Sequence, residues 1–182
     1  MNNEYIGNLY VYSDAENMGY LLEYVNEFAI EKYGKEICVE KFIDSFMKSH
    51  IRSLMDGWHP RLMSQAAVDT FMAYVEVDLH DDLSSIEGEN KYGYNDCELM
   101  WIGMTYAILK NKLHTNMIEV YKYFSLEDMK HLYICGHQLE TYDAAERLCQ
   151  AQDLYKKFQN KKRKTDKKEY IDLDGVEVWQ EI

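Results

Sequence analysis

The chain has 182 residues, 47% of them apolar and 14% aromatic, which is enough to bury one sizeable core and excludes wholesale disorder. Its 32 acidic and 20 basic residues leave a net charge of −12, so a phosphate backbone would meet mostly negative surface and nucleic-acid binding by the whole body is excluded. One proline and nine glycines exclude collagen-like and proline-rich stalk classes.

Apolar residues recur mostly at spacings of three and four, which predicts an all-α fold: a compact bundle of six or seven helices. Residues 5–12 are aromatic and short, suited to an extended entry. Ser13-Asp-Ala-Glu16 has the capping-box pattern and opens a first helix with Met18, Leu21, Leu22, Val25, Phe28 and Ala29 on one face, ending near Gly34. A second helix is expected over 37–55, with Val39, Phe42, Ile43, Phe46, Met47, Ile51 and Leu54 inward. Gly57-Trp58-His59-Pro60 breaks it, because the residue before proline resists the α region, and Pro60 starts a third helix running to about residue 79. The acidic stretch 80–93 reads as a long loop. Asp96 is placed to cap a fourth helix through about residue 113, carrying Leu99, Ile102, Gly103, Tyr106 and Leu109. Asn116 and Ser125 open two short helices, and a last one covers 141–158.

Charge divides the chain into an acidic helical domain over 1–155, a basic linker from Lys156 to Lys168, and an acidic, apolar-dotted tail over 169–182. These segments carry net charges of −14, +7 and −5. The tail alternates apolar and acidic residues, which suits a strand added to a partner's sheet edge as well as an unstructured end. Tyr170, Ile171, Leu173, Val176, Val178 and Trp179 are its candidate partner-binding anchors. The N-terminus lacks a signal-peptide pattern, no run approaches the ~18 apolar residues of a membrane span, and Cys38, Cys97, Cys135 and Cys149 form no CxxC, so a cytoplasmic chain with reduced thiols is expected.

Within the third predicted helix, Arg61, Gln65, Asp69, Glu76 and His80 fall on one side of a continuous cylinder. Such a polar stripe suits an exposed salt-bridge ladder; it also suits a small anion at Arg61 or a metal held by Asp69, Glu76 and His80. Asp81 and Asp82 sit unfavourably at that helix's C-terminal end. No nucleophile elbow, phosphate-binding glycine loop or zinc-protease motif occurs, and Cys135-Gly136-His137 with Cys149 matches no common zinc spacing. No catalytic residue, metal or cofactor is therefore assigned. The cadence of the helices over 96–135 is that of a helix-turn-helix, but Glu127, Asp128, Lys130 and His131 suit base edges poorly.

The segment 99–106 (Leu-Met-Trp-Ile-Gly-Met-Thr-Tyr), followed by 118–122, 129–133, Gly136-His-Gln-Leu139 and Ala144-Ala-Glu-Arg-Leu148, resembles a module of small helical proteins of Gram-positive gut bacteria. That module reads L-Y-W-I-G-x-x-Y, I-Y-K, L-x-x-L-Y, Y-H-x-L and A-I-E-R. His59-Pro-Arg-Leu62, Ser64-Gln-Ala-Ala67 and Asp69-Thr-Phe71 are similar to a second block of the same proteins, and the likeness spans about two-thirds of the chain. Met100 replaces the module's Tyr and Gly136 an aromatic. Those proteins are often encoded beside predicted toxins, including ADP-ribosyltransferase-like ones, so the resemblance implies an antitoxin, immunity or accessory role. The leading expectation is a non-enzymatic protein-binding module; the alternatives are a DNA-associated regulator using 156–168 and a small metal- or anion-binding enzyme using 59–82.

Overall fold

The structure, a computed structural model, describes residues 3–160, with side chains from residue 11 onward. Among these residues the fold is all-α. Helix α1 (Asn3–Glu27) and helix α7 (Asp96–Lys112) form the central pair. On the α1 side lie α2 (Ala29–Tyr33), α3 (Val39–Phe46), α4 (His50–Asp56), α5 (Pro60–Met63) and α6 (Ala67–Val77). Against α7 lie α8 (Met117–Tyr123), α9 (Leu126–Gly136) and α10 (Thr141–Ala151), with further helix over 154–160. The stretch after α6 holds a 3-10 turn (Leu83–Ser85) and an isolated antiparallel bridge between Ile37 and Glu87.

The central pair is close because two glycines face it. A Cβ on Gly103 would stand 2.4 Å from the Met18 carbonyl oxygen, and one on Gly19 would stand 3.0 Å from the Met100 carbonyl oxygen. Neither backbone can yield as a side-chain end can, so α1 and α7 touch almost backbone to backbone. Trp101 and Tyr106 follow the same logic. Trp101 lies over Gly136, where a Cβ would meet its ring at 2.7 Å, and the Tyr106 hydroxyl donates to the Phe124 carbonyl at 2.8 Å.

Several predicted boundaries move. Ser13 caps nothing, because α1 has already run from Asn3; its hydroxyl donates to the Met63 carbonyl instead. The stretch 5–12 is helical, not extended. The single helix expected over 37–55 breaks at 47–49. There Ser49 turns extended and accepts from the Arg52 amide at 3.0 Å, while Asp78 accepts from the His50 and Ile51 amides at 2.6 and 3.1 Å. Three of the amides that a helix start leaves without partners are thereby satisfied. The helix expected over 60–79 breaks at 64–66, where Asn17 of α1 donates to the Gln65 carbonyl and to the Thr70 hydroxyl, both at 3.0 Å.

The cap of α7 is Asn95, not Asp96; Asn116 and Ser125 cap α8 and α9 as their sequence indicates. The last helix, expected to continue to 158, is interrupted at Asp153, whose φ is 51°. Phe28, expected inward, is exposed.

The α1–α7 contact makes a clean prediction. Gly103→Ala should cost roughly 1–3 kcal/mol or more in denaturant unfolding, since its methyl overlaps backbone. Gly93→Ala, with no atom near its Cβ, should be within about 0.5 kcal/mol of neutral.

Candidate functional site

The densest chemistry is buried between α1, α4, α7 and the start of α8. Arg52 and Asp56 are one helical turn apart on α4, Asp14 comes from the middle of α1, and Lys110 from the last turn of α7. Arg52 is fully buried, with 0% of its side chain exposed. Its Nη1 lies 2.9 Å from Asp14 Oδ1, its Nη2 2.9 Å from Asp56 Oδ1, and its Nε donates to Asp56 Oδ1 at 3.1 Å. Lys110 Nζ donates to Asp14 Oδ2 at 2.7 Å and lies 3.4 Å from Asp56 Oδ1. The second Asp56 oxygen accepts from the Met117 amide at 2.9 Å, fixing the first turn of α8. Trp58, in the left-handed region at φ 59°, places its ring 4.5 Å from Lys110 Nζ.

Two cations and two carboxylates make this cluster formally neutral, the condition under which charges persist away from water. Burial pushes the Asp14 carboxyl up, but the charges and hydrogen bonds of Arg52 and Lys110 overcome it and hold the group below its ordinary value. Burial acts in the opposite sense on Arg52, and Asp14 and Asp56 reverse it, so the guanidinium is held above its ordinary value. The arrangement ties three helices and the start of a fourth together; its charges answer one another.

A second polar cluster fixes the long loop. Glu40 accepts from the Tyr94 hydroxyl at 3.0 Å and the Tyr92 amide at 3.2 Å, and Asn90 Oδ1 accepts from the Val39 amide at 2.7 Å. Lys130 joins Glu98 at 3.0 Å and sits over the Tyr94 ring. At the other end, Glu146 accepts from Lys112, Tyr155 and Gln150 and is drawn down to about 2 by those hydrogen bonds.

The predicted polar stripe does not lie along one helix. Arg61 is on α5, Gln65 is in the break and donates to the Thr70 hydroxyl at 3.2 Å, Asp69 and Glu76 are on the exposed face of α6, and His80 lies beyond its end at φ 49°. Its continuity required an unbroken helix over 60–79, and the turn at 64–66 removes it. Asp82, which looked misplaced at a helix end, accepts from the Ser84 amide at 2.9 Å and starts the 3-10 turn. Among the described residues, no group of three or more His, Cys, Asp or Glu could hold a metal ion. The four cysteines are free; Cys38 and Cys149 are buried, Cys97 and Cys135 exposed. His59 is the N-cap residue of α5. The tail anchors Tyr170, Ile171, Leu173, Val176, Val178 and Trp179, and the basic residues from Lys161 to Lys168, lie outside the described residues; Lys157 donates to the Tyr123 hydroxyl at 2.6 Å. Among the described residues, no helix is long and apolar enough to cross a membrane.

A scan against protein-family models and searches of curated proteins and of solved structures found no match.

A carboxylate held low in the folded state contributes stability that is complete above its unfolded value, about 3.9, and is lost as pH falls through the folded value. Asp14→Asn should therefore destabilise the fold by roughly 3–5 kcal/mol at pH 7, by stranding buried positive charge. The gap between wild type and variant, measured by urea unfolding, should narrow as pH drops below about 4; a gap constant down to pH 3 would show that the carboxylate is not held by its two cations.

Proposed function

We propose that this chain is a cytoplasmic, non-enzymatic protein-binding module of antitoxin, immunity or accessory type, which neutralises a protein partner. The observation that carries this reading is where the charge sits. The charges of Asp14, Arg52, Asp56 and Lys110 cancel, and buried Glu98 is paired with Lys130, so the excess of acid among the described residues is borne mainly by exposed side chains. That surface also leaves large apolar side chains exposed, among them Tyr12, Tyr20, Phe28 and Ile134. A strongly negative surface steers a positively charged partner toward it and speeds encounter, while exposed apolar side chains supply the contacts that hold it. The resemblance to proteins encoded beside predicted bacterial toxins supports the same class of partner. The acidic, apolar-dotted 169–182 segment adds anchors of the kind that fold onto a partner.

Capture from an extract of the source cells, with the tag at Met1, should return one protein in stoichiometric amount and of basic net charge. Deleting 169–182 should abolish the complex while leaving helical circular dichroism and melting unchanged. Retained affinity after the deletion would remove the tail from the interface, and an empty capture would count against the reading as a whole.

A further inference from the structure

One surface combines exposed apolar side chains with unpaired carboxylates. At its base lies Phe71, fully buried in α6. Tyr24 of α1 and Tyr33 of α2 both stand edge-on to it, at 5.6 and 5.7 Å between ring centres. Phe28 stacks on Tyr24 at 6.4 Å and remains 46% exposed. Met72, the next residue of α6, is 42% exposed and its sulfur receives Lys32 Nζ of α2 at 2.8 Å. The face is thus continuous across the three helices, with an aromatic floor and two outward apolar side chains.

Carboxylates border it by helical spacing. On α1, Glu23 and Glu27 run one row beside Tyr24 and Phe28; on α6, Asp69 and Glu76 lie three residues before and four after Met72; Glu31 is exposed on α2. None of these five forms an ion pair among the described residues, although ion pairs are frequent elsewhere on the chain. Asp96 lies beside Glu27 and holds its carboxyl above the ordinary value.

Resting on the protein-binding reading, we propose that this α1–α2–α6 face is the docking surface for a basic amphipathic helix of a protein partner, with Phe28 and Met72 meeting its apolar side and Glu23, Glu27, Asp69 and Glu76 its lysines or arginines. Helices that present apolar residues at three- and four-residue spacing with flanking cations match such a surface. A second copy of the chain does not: a two-fold contact through this face sets the same carboxylates against one another. Nor does the chain's own basic segment, since Phe158, the one apolar residue within 156–168, already packs against Tyr123 at 6.0 Å. The following 169–182 segment has apolar residues but a charge of −5, of the wrong sign for this rim.

The test uses the full chain and a labelled synthetic helix of about 18 residues built from Lys and Leu, with a Glu/Leu counterpart, read by fluorescence anisotropy. The Lys/Leu helix should bind with one-to-one stoichiometry and weaken as salt rises, and the Glu/Leu helix should not bind. Phe28→Ala with Met72→Ala should weaken binding at least roughly tenfold, as should Glu27→Lys with Glu76→Lys. Tyr12→Ala is the control: Tyr12 is 63% exposed but lies about 24 Å back along α1 from Phe28, and its loss should change nothing. No binding of the Lys/Leu helix, equal binding of the Glu/Leu helix, or equal losses from the Phe28/Met72 and Tyr12 variants would overturn the proposal. So would a gain in affinity on changing Lys161, Lys162, Arg163 and Lys164 to Ser, which would make the chain's own basic segment the occupant. If the peptide fails while a partner is still captured through 169–182, this face is wrong and the protein-binding reading stands.

Discussion

The fold depends on a neutral group of four charges set between helices that are far apart in sequence. Asp14, Arg52, Asp56 and Lys110 come from α1, α4 and α7, and a single Met117 amide extends the group to α8. An isolated charge in such a place costs several kcal/mol of desolvation, and each of these four is tolerable only because the other helices deliver its partners to within about 3 Å. The consequence is mutual dependence. Helix α4 has only seven residues, too short to be stable alone. It holds because Ser49 and Asp78 satisfy its first amides and its outer turn carries Arg52 and Asp56 into the cluster. Trp58 immediately after it adopts a left-handed backbone and brings its ring against Lys110. The glycine contact between α1 and α7 then sets the distance across which Lys110 can reach Asp14.

The same arrangement shapes the exterior. Because the four charges of the cluster cancel and Glu98 is paired with Lys130, the acidity of the described residues is carried mainly by exposed side chains. Glu40, Asn90 and Lys130 pin the long loop, and Glu146 ties α7 to the last helical turns, so these polar groups are spent on holding the fold. Glu23, Glu27, Glu31, Asp69 and Glu76 are not, and they surround an aromatic floor formed by Tyr24, Tyr33 and Phe71. A central cluster that neutralises its own charges, and carboxylates without ion pairs among the described residues beside exposed Phe28 and Met72, are the features on which the proposed docking of a basic partner rests.

Much of the helical framework was legible in the sequence, because its signals are local. The all-α class follows from apolar spacing, and Asn116 and Ser125 cap helices where they stand. The starts of α7 and α10 fall within one residue of expectation. What periodicity conceals is a helix broken without a change of phase. Phe42 to Leu54 and Arg61 to His80 keep a helical rhythm through turns at 47–49 and 64–66, and those turns are imposed by Asp78 and Asn17, which are distant in sequence. Ser13 illustrates the converse, a sound capping pattern overridden because the helix extends upstream of it. The central cluster was illegible for a further reason: local pattern does not show which polar residues turn inward. Lys110 at the end of the apolar run Ala107-Ile108-Leu109 is the one local hint, and the helical spacing of Arg52 and Asp56 does not distinguish them from an ordinary surface pair. Phe28 was counted as core by its position on the apolar stripe of α1; it lies just past the end of that helix, stacked on Tyr24 and about half exposed.

The four charges act as one unit, and a double-mutant cycle on Asp14 and Lys110 tests this most directly. Each alanine variant alone should cost roughly 3–5 kcal/mol in urea unfolding, because it leaves an opposite charge buried without its partner. The double variant should cost less than the sum of the two by about 1–3 kcal/mol, the coupling expected of groups in one buried network. Strict additivity would contradict the account, since it would mean that Asp14 and Lys110 are stabilised independently.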